Sequence, residues 1–249
     1  MSGIWTEAPS DGARPGVRAV IQCAMDVEAA PFLETLAPGA ATREVGALGR
    51  RRQSFTAGEL DGSTVLVVTA GIGLANAAAA AARALMMVDP GIVIAAGTTG
   101  GLGREVEVGD VIAGTATTFS SADATAFGYA RGQIPQMPVD HRSDELTVRR
   151  AVDLGHRVGQ TVRVGQVLSS DSFVTAANVG TTREEFPDAL ATDMETAAMA
   201  QVSWSVGVDW VSLRAVSDLC GPRADQDFHM DSARAARLSY QAVRAFLSL

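Results

Sequence analysis

The sequence is poor in residues that bind metals or form disulfides. It contains two cysteines, Cys23 and Cys220, and three histidines in 249 residues. Neither cysteine has a partner at CxxC spacing, so we predict neither a zinc site nor a disulfide framework. Free, buried thiols in a reducing compartment fit this composition best.

Long apolar runs are also missing. No segment reaches the roughly 18 consecutive apolar residues expected of a membrane span. Residues 1–16 are polar and lack the apolar stretch of a signal peptide. We therefore expect a cytoplasmic protein with a disordered extension over 1–16 and a single domain over 17–249.

Basic residues are outnumbered by acidic ones. Lys and Arg total 20 against 28 Asp and Glu, a formal net charge of -8. Such a surface repels nucleic acids and anionic membranes, so we expect neither as a partner. The basic run at 50–52 fits a solvated loop or hairpin edge better than a polyanion site.

The nucleotide-binding loop motifs are incomplete. Gly71 and Gly73 are followed by Asn76 instead of the third glycine of GxGxxG, and neither GxxxxGK[ST] nor GxSxG occurs. The sequence thus predicts no dinucleotide cofactor. Gly71-Ile72-Gly73 is more typical of a tight turn before a closely packed helix.

Apolar strand-like segments alternate with helical ones along the chain. Strands are predicted at 17–25, 63–70, 91–96, 110–118, 166–174 and 209–216, and helices at 29–36, 74–87, 144–158, 194–205 and 232–247. This alternation indicates an α/β fold with a mostly parallel sheet covered on both faces. Residues 120–138 are polar and rich in Gly and Pro, and a loop of this length is usually functional or lies at an interface.

Several strand ends carry polar or aromatic residues. In an open α/β sheet, ligands bind beyond the carboxyl ends of the strands. Taken singly, a carboxylate in this position is more often a helix cap than a catalyst. The candidates at this rim are Glu28, Thr98, Phe173, Val174, Glu195 and Asp218.

Taken together, the three carboxyl groups suit the cleavage of a glycosidic bond, which needs an acid for the leaving group and a base for water. Burial beside the apolar run 211–216 would raise the pKa of Asp218 and keep its proton for a purine nitrogen. Glu195 lies in a first helical turn, where we expect the dipole to keep it ionised and suited to ribose hydroxyls. Glu28 is then the candidate base.

The order of motifs resembles the nucleoside phosphorylase/nucleosidase superfamily. The motifs that show this resemblance are AMDVE at 24–28, GIG at 71–73 and GTTGGL at 97–102. Segments 123–135, 167–174 and 193–218 are similar to the 5′-methylthioadenosine/S-adenosylhomocysteine nucleosidases. The resemblance runs from about residue 17 to the C-terminus.

The resemblance implies a three-layer αβα sandwich with a mixed, mostly parallel sheet. It implies cofactor-free hydrolysis of methylthioadenosine, S-adenosylhomocysteine and 5′-deoxyadenosine to adenine and the 5′-substituted ribose. Glu28 matches the water activator, Asp218 the acid at adenine N7, and Glu195 the ribose-binding carboxylate. The other matched substrate-binding positions are Met194 beside the ribose, Phe173 stacked on adenine, Val174 at the adenine edge, Thr98 and Arg214 near the water, Ser217 in the Asp218 motif, and Met25 and Phe228 in an apolar pocket.

The resemblance further implies a homodimer in which the loop 120–138 reaches the neighbouring site. Phe127 and Pro135 would then line the partner's pocket for the 5′ substituent. Thr98 departs from the serine of many relatives, and Asp26-Val27 replaces a more acidic pair. Residues 220–230 match only loosely, which puts the specificity for the 5′ substituent in doubt, and His229 in this segment fits a surface position better than a contact.

Three alternatives remain open at this point. A phosphorylase of the same fold is disfavoured, since a carboxylate at the first strand end would repel phosphate and Arg214 is the only cation in the motifs. A nucleosidase acting on aminofutalosine would need the same three carboxyl groups. A nucleoside-binding sensor is disfavoured because all three are retained.

Overall fold

The computed structural model describes residues 13–46, 53–220 and 224–249, with side chains described from Ser232 onward in the last range. The side chains of Phe228 and His229, the run 50–52 and residues 1–12 therefore lie outside what is described. The strands within these ranges are β1 (Gly16–Val17), β2 (Ala19–Cys23), β3 (Ala41–Val45), β4 (Gln53–Leu60), β5 (Ser63–Thr69), β6 (Asp89–Pro90), β7 (Val93–Gly101), β8 (Val111–Phe119), β9 (His141–Arg142), β10 (Val162–Ser169), β11 (Ala189–Asp193) and β12 (Trp210–Asp218). The α-helices are α1 (Asp26–Leu33), α2 (Leu74–Met87), α3 (Glu145–Leu154), α4 (Val179–Glu185), α5 (Thr196–Ser205) and α6 (Ala224–Leu247).

One large mixed sheet organises the chain, as predicted. Its strand order is β11-β10-β8-β12-β7-β2-β5-β4-β3, with β9 added beside β8. The central pairs β12–β7, β7–β2 and β2–β5 are parallel, whereas β12–β8, β5–β4 and β4–β3 are antiparallel. The parallel centre brings several strand ends to one rim.

Part of this sheet closes on itself. β11 pairs in parallel with β10 and, on its other side, antiparallel with the end of β7. Strands β7, β12, β8, β10 and β11 therefore form a ring, while β2, β5, β4 and β3 extend from it as an open sheet. Closure removes the free edges of these five strands and holds their ends at fixed distances.

Helices cover both faces of the sheet and complete the three layers. On one face, Phe32 of α1, Leu154 of α3 and Phe246 of α6 pack on the sheet. On the other face, the alanines of α2 and Met199 of α5 pack against the sheet. The many alanines allow this close approach, which explains why a core with few aromatics suffices.

The predicted elements are present with shifted bounds, and the structure has further elements that were not predicted, among them β6, β9, α4 and β11. No element was predicted between 175 and 193, where the structure has α4 and β11. β7 continues through Gly101, five residues past the predicted end, because its glycine-rich end pairs with β11 in the closed ring. β10 begins and ends earlier than predicted, at Val162 and Ser169.

The structure describes the last residues of the predicted extension, from residue 13, and the long loop 120–138. Gly16 pairs with Asp89, whose N–H donates to Pro15 O, so the fold includes residues before 17. The loop 120–138 contains one short 3-10 helix, Thr125–Phe127. Its base is held by Thr118, whose hydroxyl donates to the carbonyls at 132 and 139. Among the described residues, no helix combines the length and apolarity needed to cross a membrane.

Candidate active site

A cavity of about 320 Å³ opens at the carboxyl ends of β2, β5, β7, β10, β11 and β12. It lies at the rim where the sequence places its candidate residues. Nine of those residues line it: Met25, Glu28, Thr98, Phe173, Val174, Met194, Glu195, Arg214 and Asp218. The remaining lining residues are Ala24, Ile72, Thr99, Gly100, Ser172, Thr192, Asp193 and Cys220.

Glu28 is buried in the floor of the cavity with both carboxylate oxygens occupied. Its Oε2 accepts the N–H groups of Ala24 at 2.9 Å and Met25 at 3.0 Å. Its Oε1 accepts the Thr98 N–H at 2.8 Å and the Thr98 hydroxyl at 2.9 Å. The bond to Met25, the N-cap of α1, is half of a capping box, so Glu28 both starts the helix and faces the cavity.

The close approach of Glu28 to β7 requires a glycine. Gly97 has φ +129°, and a Cβ added there would lie 2.3 Å from both Cδ and Oε1 of Glu28. No side chain fits at that distance. Gly97 thus lets the carboxylate reach the backbone of the next residue, Thr98.

Arg214 is the centre of a buried charge cluster. Its guanidinium lies 3.2 Å from an oxygen of Asp193, 3.2 Å from Glu195 and 3.9 Å from Glu28. It also donates to Thr98 O at 3.0 Å. Burial acts to lower the pKa of Arg214, but the three carboxylates outweigh it and raise that pKa. Three acids around one base leave the cluster with excess negative charge.

Glu195 differs from the sequence prediction in position and in the direction of its pKa. It is the N-cap residue before α5, and its Oε1 accepts the Gly73 N–H at 2.9 Å instead of serving its own helix. Burial, opposed by Arg214 and reinforced by Asp193 and Glu28, raises its pKa from an ordinary 4.5 to about 7. The sequence reasoning considered the helix dipole, which favours the ionised form, and did not foresee this opposing effect of burial.

The start of α2 is also occupied by carboxylates. Gly73 has φ +103° and supplies no capping side chain. Its N–H donates to Glu195, and the next N–H, of Leu74, donates to Asp171 Oδ1 at 2.8 Å. A helix start that could bind an external anion is thus satisfied from within the protein.

Asp218 is the last residue of β12, the strand that also carries Arg214, and is buried as predicted. Its Oδ2 accepts the Ser217 hydroxyl at 3.0 Å, and its Oδ1 accepts the Cys220 N–H at 2.9 Å. Cys220 has φ +56°, a left-handed turn that directs its N–H back to the carboxyl group. Ser217 does not itself line the cavity and reaches it only through Asp218.

The predicted apolar contacts divide into two groups. Met25, Phe173, Val174 and Met194 line the cavity, and Phe173 is 42% exposed there. Phe127 is 84% exposed in the loop 120–138 and does not line the cavity of its own chain. Pro135, in the same loop, is likewise exposed and outside the lining.

Asp193 is the main residue whose role the sequence reasoning missed. Its Oδ1 accepts the Ser169 hydroxyl at 2.6 Å and the N–H groups of Glu195 at 3.1 Å and Thr196 at 3.0 Å. Its Oδ2 accepts the Thr196 hydroxyl and faces Arg214. The Asp-x-x-Thr spacing, typical of a helix N-terminus, was the available signal.

The fold and the cavity belong to a known class of α/β proteins. The Phosphorylase superfamily profile matches residues 18–248. The 5′-methylthioadenosine/S-adenosylhomocysteine nucleosidase of Staphylococcus haemolyticus is 33% identical over 196 residues, 78% of this chain and 86% of the relative. The enzyme of the same name from Anoxybacillus flavithermus is 36% identical over 197 residues, with 78% and 85% covered.

Solved structures agree with these sequence matches. The nucleosidase of this name from Neisseria meningitidis, in complex with methylthio-immucillin-A, superposes with a TM-score of 0.85 at 35% identity, covering 93% of this chain and 99% of that one. The Streptococcus pneumoniae enzyme, with a transition-state inhibitor, gives 0.82 at 30% identity, covering 92% and 98%. The chain belongs to the 5′-methylthioadenosine/S-adenosylhomocysteine nucleosidase family within the Phosphorylase superfamily. It is an N-glycosidase hydrolase.

Proposed function

We propose that this enzyme hydrolyses the N-glycosidic bond of 5′-methylthioadenosine and S-adenosylhomocysteine, and also of 5′-deoxyadenosine. The products are adenine and the 5′-substituted ribose. Relatives of this name at 33% and 36% identity support the first two substrates. The third rests on the resemblance of the motifs alone.

In the proposed reaction, Asp218 is the acid and Glu28 the base. Asp218 gives its proton to N7 of the adenine, which leaves with the bonding electrons. Water attacks C1′ and passes a proton to Glu28. Burial of both carboxyl groups, 3% exposed for Asp218 and 1% for Glu28, supports transfer without competition from bulk solvent.

The occupied oxygens of Glu28 add a requirement to this reaction. A carboxylate has about four lone-pair sites, and four donors fill those of Glu28. Three of these donors are fixed backbone N–H groups, and the fourth is the Thr98 hydroxyl. We propose that this hydroxyl turns toward the incoming water and frees a lone pair of Oε1 to receive its proton.

The remaining lining residues are assigned to the substrate. We propose that Glu195 binds the ribose hydroxyls with Met194 beside the sugar, and that Arg214 acts near the water with Thr98. Phe173 stacks on adenine, and the Val174 backbone contacts its edge. The pocket for the 5′ substituent is assigned to Met25, Phe228, Phe127 and Pro135. Ser217 supports the acid Asp218.

The observation that favours hydrolysis over phosphorolysis is that, among the described residues at the cavity, the cation and the N–H groups at the start of α2 already have partners within the protein. Arg214, the one cation among the described lining residues, faces three carboxylates. The first N–H groups of α2 donate to Glu195 and Asp171. A phosphate dianion would meet negative charge where it needs donors.

The loop 120–138 supports a proposal about assembly. We propose a homodimer in which Phe127 and Pro135 complete the neighbouring site. Phe127 is 84% exposed on this loop and is therefore available to a neighbouring subunit. We further propose that a single domain covers 17–249, with residues 13–16 joined to it through the pairing of Gly16 with Asp89, and that the enzyme serves methionine salvage in the cytoplasm.

Adenine release from a panel of nucleosides, with and without phosphate, tests the proposed function. We expect release from methylthioadenosine and S-adenosylhomocysteine that is independent of phosphate. A higher kcat/KM on aminofutalosine would reassign the substrate, and a strict need for phosphate would overturn hydrolysis.

Two variants test the assigned roles in the same assay. Asp218→Asn and Glu28→Gln should each lower kcat by at least about 100-fold, a typical share for a general acid or base, while nucleoside binding persists. Asp110→Asn is the control, because this buried carboxylate pairs with Arg163 outside the cavity. Turnover near that of the unmodified enzyme in either variant would contradict its role.

A further inference from the structure

A buried serine hydroxyl lies between the two central strands that lead into the cavity. Ser239 of α6 has no exposed surface. Its Oγ accepts the Gly97 N–H of β7 at 2.9 Å and donates to Leu213 O of β12 at 2.6 Å. One hydroxyl from a helix thus joins a donor and an acceptor on neighbouring strands.

The strand register indicates that this donor and acceptor are a ladder pair. β7 and β12 pair in parallel without a shift from Val93–Trp210 to Gly97–Arg214. At the start, the Val93 N–H donates to Asp209 O at 3.0 Å. Because the donors of a parallel ladder repeat every second residue, the Gly97 N–H is the regular partner of Leu213 O. Ser239 bridges that pair.

The hydrogen bonds of Ser239 lie directly before a cavity residue on each strand. Thr98 follows Gly97 and gives two hydrogen bonds to Glu28. Arg214 follows Leu213 and contacts Glu28 and Glu195. The relative position of the two strands at this point therefore fixes the distance between the Glu28 carboxylate and the guanidinium, 3.9 Å.

We infer that Ser239 is a positioning residue for hydrolysis, which sets the spacing of β7 and β12 and so aligns Thr98 and Arg214 with Glu28. It does not line the cavity and acts through the backbone of both strands. Without the hydroxyl, Gly97 N–H and Leu213 O each lose one hydrogen bond, and α6 no longer sets the spacing of β7 and β12 beside Thr98 and Arg214. The inference rests on the proposed function for its kinetic readout.

The test compares Ser239→Ala with a matched control, Ser203→Ala. Ser203 is equally buried, but its hydroxyl donates only within its own helix, to Met199 O. We expect Ser239→Ala to lower kcat on methylthioadenosine by about 10- to 100-fold, as small misplacements of reacting groups do, with KM little changed. Ser239→Cys introduces a weak donor of similar size, so its kcat should lie between those of the unmodified enzyme and Ser239→Ala. Ser203→Ala should keep the full kcat.

Two further measurements distinguish positioning from a loss of folding. Affinity for methylthio-immucillin-A should fall by the same factor as kcat/KM, whereas affinity for adenine should stay, because a transition-state analogue reports the aligned site. Hydrogen–deuterium exchange over 93–101 should speed up in Ser239→Ala and not in Ser203→Ala. This last readout needs no turnover.

The outcomes separate the inference from the proposed function. An unmodified enzyme that releases no adenine would refute the function, and exchange over 93–101 would still test the role of Ser239. Equal loss of kcat in both serine variants, or a lower Tm in Ser239→Ala with unchanged kcat and unchanged exchange, would overturn the inference.

Discussion

The replacement Gly97→Ala should disable this protein through a single methyl group. Gly97 combines two demands: a backbone φ of +129° and a neighbouring Glu28 carboxyl group 2.3 Å from the place where a Cβ would lie. The first costs about 1–3 kcal/mol for a residue with a side chain. The second forces Glu28 to move, since the atoms cannot overlap.

The cost of moving Glu28 follows from its partners. The carboxylate accepts four hydrogen bonds, and its two bonds to Thr98 lie on the side of the clash. Bonds to a charged group contribute about 1.5–3 kcal/mol each, so losing two costs at least about 3 kcal/mol beyond the backbone strain. For a chain of this size, 1 kcal/mol lowers Tm by about 2–4 °C, which gives about 6–12 °C.

Gly62→Ala is the matched control. Gly62 has φ +78°, and an added Cβ there meets nothing within 4 Å, so this variant carries backbone strain without a clash. Thermal unfolding should place Gly97→Ala about 6–12 °C below Gly62→Ala. Adenine release should be lost only in Gly97→Ala. Similar Tm values for Gly97→Ala and Gly62→Ala, together with normal turnover, would refute the claim that Glu28 packs too closely on Gly97 for a side chain to fit.

Three further predictions concern charge and assembly. Burial raises the pKa of Glu195 from 4.5 to about 7, so the folded protein binds the proton of this carboxyl group more tightly than the unfolded chain does. Stability should therefore fall as pH rises through that interval, and Glu195→Gln should flatten the decline of Tm; an equal slope in both proteins would contradict the shift. Asp193→Asn removes a charge that raises the pKa of Glu195, so the decline of Tm with pH should move to lower pH. An unchanged dependence of Tm on pH would argue against the interaction between Asp193 and Glu195. Phe127→Ala should raise KM for methylthioadenosine by weakening the site of the neighbouring subunit, as steady-state kinetics and sizing by chromatography would check; a monomer of full activity would exclude that role.

The buried cluster around Arg214 gives the candidate site an unusual charge balance. Glu28, Asp193 and Glu195 share one guanidinium. Desolvation by burial raises the pKa of Glu195 to about 7, and hydrogen bonds from ribose hydroxyls to this carboxylate would act in the opposite direction.

Periodicity and motif order in the sequence were enough to predict the architecture and most of the rim. Apolar runs such as 63–70 can be buried only as strands between helices, which predicts a covered, mostly parallel sheet. Because parallel strands end at one side, the sequence also placed Glu28, Thr98 and Asp218 near one another. The short strand β11 has no detectable periodicity. It forms because it pairs with β10 on one side and with β7 on the other.

The sequence by itself determined the class of fold, the acidic character of the site and the family, since these depend on local patterns and residue order. The raised pKa of Glu195 depends on the tertiary structure, because its burial and the nearby Arg214 and Glu28 come from distant segments of the chain. The same holds for the occupied start of α2 and for Ser239 between two strands. Such contacts depend on distances that only the packed chain sets, and no local pattern in a sequence encodes them.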